Sequence, residues 1–265
     1  MSSNAVINSL YDVIYQQEYI SWKLPSNTHI FLSANPNNGA YTVTDIDEAA
    51  ASRMITFNIK WDINSWSEWA EYQGLDNRVI NFLLHNHNEL MDRSVTKEAK
   101  INARNYTMFA NIISGIPDWS TPENLAFIMQ IASGCFLDEE GIVGNMFATF
   151  IANKLDKLIS PEDLIHKGWD TVKVKLEDQL YDNDMYRADI GSIITTRFCN
   201  YSIKYLETKG NPMDPVSNRI LDIVNNDKIL LSEDLLFNLV KTLNKKFPGR
   251  CNKLIMNPKI ARKLM

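Results

Sequence analysis

The chain has 265 residues, an apolar fraction of 45% and 27 basic against 32 acidic side chains, for a net charge of -5. That length and apolar content bury one large core or two smaller ones and argue against a disordered chain, while the small total charge announces neither a nucleic-acid nor a membrane partner. Three widely spaced cysteines, Cys135, Cys199 and Cys251, fit a reducing compartment better than a disulfide framework or a zinc site, and no apolar run approaches the roughly 20 residues of a membrane span, so a cytoplasmic protein is expected.

In chain order, Val6, Leu10 and Val13 interleave with Ile7, Tyr11 and Ile14 as a helical stripe. Pro25 and Asn27 mark a turn. Ile30-Phe31-Leu32-Ser33-Ala34 is a short apolar run of the kind found in a strand covered on both faces. After the loop residues Asn37-Asn38-Gly39, a short helix from about Asp47 to Ser52 leads into a second expected strand, Met54 to Ile59, rich in β-branched and aromatic residues. Beyond Asp62 only helices are expected. Ser65 and Glu68 have capping-box spacing, Asp76 caps a helix carrying Val79, Ile80, Phe82 and Leu83, and another helix runs from about Asn102 to Ile113. Thr121-Pro122 and Ser160-Pro161 each place a capping hydroxyl before a proline at the first helical position. Gly141, Gly144 and Ala148 share a helical face that admits close backbone approach. Further helices are expected at about 169–177, from Tyr186 to Glu207, after Pro215, from Ser232 to Lys246 and after Pro258.

The sequence therefore predicts a mostly α protein with a small α/β part. Two strands do not make a self-sufficient parallel sheet, so they need strands from elsewhere or belong to a fragment.

Within this order, Ala34-Asn35-Pro36 follows the first expected strand, Asp47 to Arg53-Met54 spans the following helix, and Ala103-Arg104-Asn105-Tyr106 opens a later one. Residues 1 to about 161 resemble the back half of a MoxR-like AAA+ ATPase. The resemblance implies a partial AAA+ core at 1–62 with two strands of a parallel sheet, a helical lid at 63–165 and a helical extension at 166–265. It implies Asn35 as the sensor that orients the attacking water, Arg53 as the arginine finger reaching a neighbouring subunit, and Arg104 as the nucleotide-binding lid arginine. The family often has proline where Ala103 stands, which weakens the last assignment. Such roles suit the residue types, because phosphoryl transfer is catalysed by positioning and charge stabilisation, and arginine offers phosphate a planar fork.

A phosphate-gripping Gly-x-x-x-x-Gly-Lys-[Ser/Thr] loop is absent, since no glycine here precedes a lysine. Cys135-Phe136-Leu137-Asp138-Glu139 imitates a magnesium-binding strand end but reads as a turn between helices. His85 and His87 are two apart on a helix and face different ways, so they do not share a metal; Trp61, Trp66 and Trp69 read as packing residues. Three readings stay open. In one, this is an ATPase portion that binds ATP and magnesium only in an assembled ring, homo- or hetero-oligomeric, with a P-loop from an upstream or separate chain, and remodels a protein substrate. In another, it is a non-catalytic helical adaptor or interaction protein derived from such an ATPase. In the third, it is an unrelated helical protein in which these short motifs arise by chance. Asparagine-rich composition hints at a virus-encoded protein.

Overall fold

A computed structural model of the chain describes residues 13–19, 22–34, 52, 54–94, 101–138 and 140–264. The chain divides into two compact units, Met1–Lys60 and Trp61–Met265.

In the first unit a helical turn at 13–16 is followed by β1 (Glu18–Tyr19) and β2 (Trp22–Lys23), paired antiparallel with Glu18 opposite Lys23 and Tyr19 opposite Trp22. The Lys23 ammonium lies 3.0 Å from the Glu18 carboxylate across this pair. The expected turn at Pro25 is present, closed by the Thr28 N–H donating to the Pro25 carbonyl at 3.0 Å. Neither of the two expected strands forms: 30–34 and 54–59 are irregular, and no parallel pairing exists among the described residues. The reason is physical. High β propensity records how well a side chain packs on neighbouring strands, and without a ladder to join, such residues gain nothing from strand geometry. The expected helices at 5–14 and 47–52 and the loop at 37–39 fall largely or wholly outside the described residues.

The second unit is helical. Asp62 caps α1 (Ile63–Gln73), its carboxylate accepting the Ser65 N–H at 2.8 Å, so the helix starts earlier than the Ser65 and Glu68 spacing implied. Gly74, with φ of 72°, ends α1 in the left-handed conformation open to glycine. Asp76 starts α2 (Asn77–Ser94), and Asn102 and Asn105 cap α3 (Ala103–Ile113) reciprocally. Thr121 and Ser160, each followed by proline, cap α4 (Pro122–Cys135) and α6 (Pro161–His166) as the sequence indicated. Between them lie α5 (Ile142–Ala152) and a 3₁₀ turn at Leu155–Lys157. A Cβ placed on Gly144 would stand 3.2 Å from the Met129 side chain and 3.5 Å from its carbonyl, which confirms the close approach of α5 to α4; Gly141 instead caps α5 at φ 72°.

The next helix, α7 (Trp169–Leu180), runs into an antiparallel hairpin of β3 (Tyr181–Asp182) and β4 (Met185–Tyr186). Its turn is Asn183-Asp184, both at positive φ, the pairing favoured by a type I′ hairpin. Helix α8 (Ala188–Glu207) therefore begins after a hairpin where a helix from Tyr186 was expected. It is followed by α9 (Asp214–Asn225), α10 (Glu233–Lys246), α11 (Asn252–Ile255) and α12 (Pro258–Leu264).

Helix α8 is the axis of this unit. It packs on α1, α2, α6, α7 and α10, so helices from both sides of residue 165 share one core. Ile190, Ile193, Ile194, Phe198, Ile203 and Leu206 are buried along it, each side chain contributing about 1.5–3 kcal/mol by removal from water. A second focus is aromatic: Phe82, Phe109, Phe147 and Phe150 pack ring on ring, with Trp119 against Phe147.

Candidate functional site

Of the three residues singled out by resemblance, Asn35 and Arg53 lie outside the described residues. Arg104 is described. It occupies the second position of α3, its backbone N–H donates to the Asn102 side chain at 2.9 Å, and its guanidinium is exposed. An arginine in the first turn adds a positive charge to the positive end of the helix dipole. A phosphate would suit both, and that is the extent of the fit to ATP; the described residues bring none of the three together and offer no geometry for magnesium.

The Asp138 stretch is a turn between α4 and α5, as its sequence context suggested. Leu137 takes a positive φ of 54°, and the buried Asp138 carboxylate accepts the Val143 N–H at 2.5 Å in the first turn of α5. This carboxylate closes a helix end and does not face a ligand.

Around the start of α1, Trp61 and Trp66 pack as anticipated, whereas Trp69, also expected to pack, is 43% exposed. Trp61 lies 5.0 Å from the His87 ring and 4.9 Å, edge-on, from Tyr106, while the Trp66 indole N–H donates to the Thr107 hydroxyl at 3.2 Å. His87 Nδ1 is 3.1 Å from the Tyr106 hydroxyl. Burial pushes the Tyr106 phenol well above its ordinary range and the His87 imidazole below its own, the latter opposed by the charge of Asp62. His87 is thus neutral in the fold at a pH where the unfolded chain begins to take up a proton. A histidine of depressed pKa contributes stability that is complete above about 6.5, the ordinary histidine value, and is lost as pH falls through the folded value. Urea denaturation at pH 7 and pH 5 should show that His87→Phe reduces the acid-induced loss; His85, held down by burial in the same direction, retains part of it.

The most developed polar arrangement was not anticipated. Arg197, in the middle of α8 and only 2% exposed, donates through Nε to Glu71 Oε1 at 2.5 Å, through Nη1 to Asn81 Oδ1 at 2.8 Å and to the Asn77 carbonyl at 3.3 Å, and through Nη2 to Asn77 Oδ1. Asn81 in turn donates to the Leu155 carbonyl at 3.1 Å. One and two turns further along α8, Asn200 donates to Ser67 at 3.0 Å and Lys204 to the Glu71 carbonyl at 2.8 Å. The signal was legible in spacing. Ser67 and Glu71, Asn77 and Asn81, and Arg197, Asn200 and Lys204 each recur at helical intervals within otherwise apolar stripes. Because each guanidinium nitrogen already has a partner, this network locks three helices together and leaves no nitrogen unpaired for a ligand.

Arg219 on α9 differs. It is 6% exposed, donates to the Lys167 carbonyl, lies over Trp169 and stands 4.0 Å from Asp222, but its Nε and Nη1 find no hydrogen-bond acceptor among the described residues. Burial lowers its hold on the proton relative to an ordinary arginine.

The thiols are held in their protonated form. Burial, seconded by Glu68, pushes Cys199 up to about 12, and burial raises Cys135 and Cys251 as well, which makes them poor nucleophiles at neutral pH. Among the described residues no three His, Cys, Asp or Glu side chains come together as a metal site, and no helix is long and apolar enough to cross a membrane. Comparison with protein-family models, with curated proteins and with solved structures finds no match to this chain.

Proposed function

We propose that the chain is a helical interaction protein that engages a partner through the extended apolar stretches at 30–34 and 54–59. The observation that carries this reading is exposure: Phe31, Ile55, Phe57 and Ile59 stand 79–94% open. Single exposed apolar side chains are ordinary, but a run of them is a docking surface or an aggregation hazard. Ile55, Phe57 and Ile59 recur at the two-residue period of a strand face, and residues 55–60 make no hydrogen bond among the described residues. A segment of this kind can add to the edge of a partner's sheet, the main chain supplying affinity and the apolar row selectivity.

A second reading, the MoxR-like ATPase portion, is favoured by the order of Asn35, Arg53 and Arg104 and by the open guanidinium of Arg104. In it the partner is a P-loop-bearing chain, and ATP and magnesium bind only in the assembled ring. Calorimetric titration of the pure chain with magnesium ATP is expected to show no binding; micromolar affinity would overturn the interaction-protein reading. In a reconstituted ring, Arg53→Ala leaves hydrolysis unchanged if the chain is an adaptor and lowers it on the order of 10³-fold if Arg53 is a finger.

A further inference from the structure

Charge is segregated along this chain. Residues 235–265 contain eight of the 27 basic side chains and no acidic one, a net charge of +8, whereas residues 1–234 carry 19 basic and all 32 acidic side chains, a net charge of -13. The fold gathers the basic stretch, because α12 packs on both α10 and α11, and α11 packs on α9. Lys241, Lys245, Lys246, Arg250, Lys253 and Lys259 are all exposed there.

Two of these are neutralised: Lys246 pairs with Glu68, and Lys253 lies 3.8 Å from Asp214 while donating to Asn218. The other four, Lys241, Lys245, Arg250 and Lys259, have no carboxylate within ion-pairing distance among the described residues. Arg250 is oriented instead by the Leu206 and Asn211 carbonyls, at 3.2 and 2.7 Å, which leave its charge uncompensated. Lys245 has a local structural reason to be where it is, at the negative end of the α10 dipole. Lys241, in mid-helix, gains nothing from the dipole; its ammonium lies over the Phe237 ring, which gives it a local contact but no counter-charge.

We propose that this face binds the phosphate backbone of a nucleic acid without regard to sequence. Three observations favour that partner. The free cations are spread over α10, the turn that follows it and α12, which suits an extended polyanion. Two of the four lie over aromatic rings, Lys241 over Phe237 and Arg250 over Phe247, each at 5.4 Å, so that a ring stands beside half of the phosphate-binding charges. Most apolar residues of these helices, Leu236, Leu239, Leu243, Leu254 and Ile260 among them, are buried in the core, and Met256 is the one large apolar side chain that stands strongly exposed among the described residues of this stretch, which is too little for an apolar face to enter a bilayer beside the charges. Residues 1–234, with a net charge of -13, offer a polyanion no comparable excess of positive charge. The inference does not depend on the stretches at 30–34 and 54–59.

The test is fluorescence anisotropy of a labelled 20-base-pair DNA duplex with the full chain at 50 to 200 mM salt. Four phosphate contacts give a slope of log affinity against log salt of about -3.6, hence a loss on the order of 100-fold over that range. The combined K241Q, K245Q and K259Q variant should flatten the slope to about -0.9, and K245Q alone should reduce its size by about 0.9. K175Q, on the exposed side of α7, should leave binding within about twofold, as expected of a surface charge outside the contact. Circular dichroism checks that each variant keeps its helices. The proposal is overturned if no duplex binding is seen at 50 mM salt, if K175Q weakens binding as much as the triple variant, if polyglutamate competes as well as DNA, or if phosphatidylserine vesicles bind and DNA does not.

Discussion

Arg197→Met is expected to lower the unfolding free energy by about 3–5 kcal/mol, the range for removing one partner of a buried ion pair. The loss has two parts. Glu71, 5% exposed, would keep its charge in the interior without its guanidinium partner, and the side-chain oxygens of Asn77 and Asn81 would lose the donors they now accept from. Methionine fills much of the arginine stem's volume, so the effect reports the lost polar contacts more than a cavity. Replacing Glu71 by leucine in the same molecule should restore part of the stability, because the uncompensated charge goes with it. Urea denaturation of the two single variants and the double variant measures this directly through the coupling between the sites. A double variant no more stable than Arg197→Met would mean that the asparagines, and not the ion pair, dominate the cost.

The aromatic focus supplies the second large effect. Phe147→Ala should destabilise by about 3–5 kcal/mol, the usual cost of truncating a buried phenylalanine. Phe147 is fully buried, with Phe82 at 5.1 Å, Trp119 at 5.4 Å and Phe109 and Phe150 at 6.1 Å. Rings are rigid and their neighbours are themselves held by other rings, so collapse into the vacated space should be poor and the value should fall toward the upper end. Thermal and urea unfolding of the variant check the figure. A loss below about 1 kcal/mol would mean that the cluster repacks freely.

The helical unit was largely legible because helix ends are written in short range. Asp76, Thr121-Pro122 and Ser160-Pro161 each act on an N–H two or three residues away, so no tertiary knowledge is needed to read them. Strands are different. Ile30 to Ala34 and Met54 to Ile59 have strand-like composition, but a strand is completed by a neighbour that the composition cannot supply. The hairpin at 181–186 has a suitable turn in Asn183-Asp184 but no strand pattern to announce it, because it is only two residues deep on each side and abuts a long helical pattern. As for the sites, Arg104 was placed correctly at the start of a helix, which says where its charge sits and not what it binds. The Arg197 network was written as polar residues at helical spacing, yet the pairing of α8 with α1 and α2 is a long-range event no local pattern encodes. The basic stretch at 235–265 was hidden by averaging charge over the whole chain.

The same pairing governs the order of events during synthesis. Arg197 lies 126 residues after Glu71, so at roughly 5–20 residues per second the ribosome leaves α1 without its principal neighbour for about 6–25 s. A helix waiting that long with a wholly apolar face would be an opening for misassembly. Ser67 and Glu71 put hydratable groups in the middle of the face that waits, so α1 can stay solvated until α8 emerges, and a chaperone has less reason to hold it.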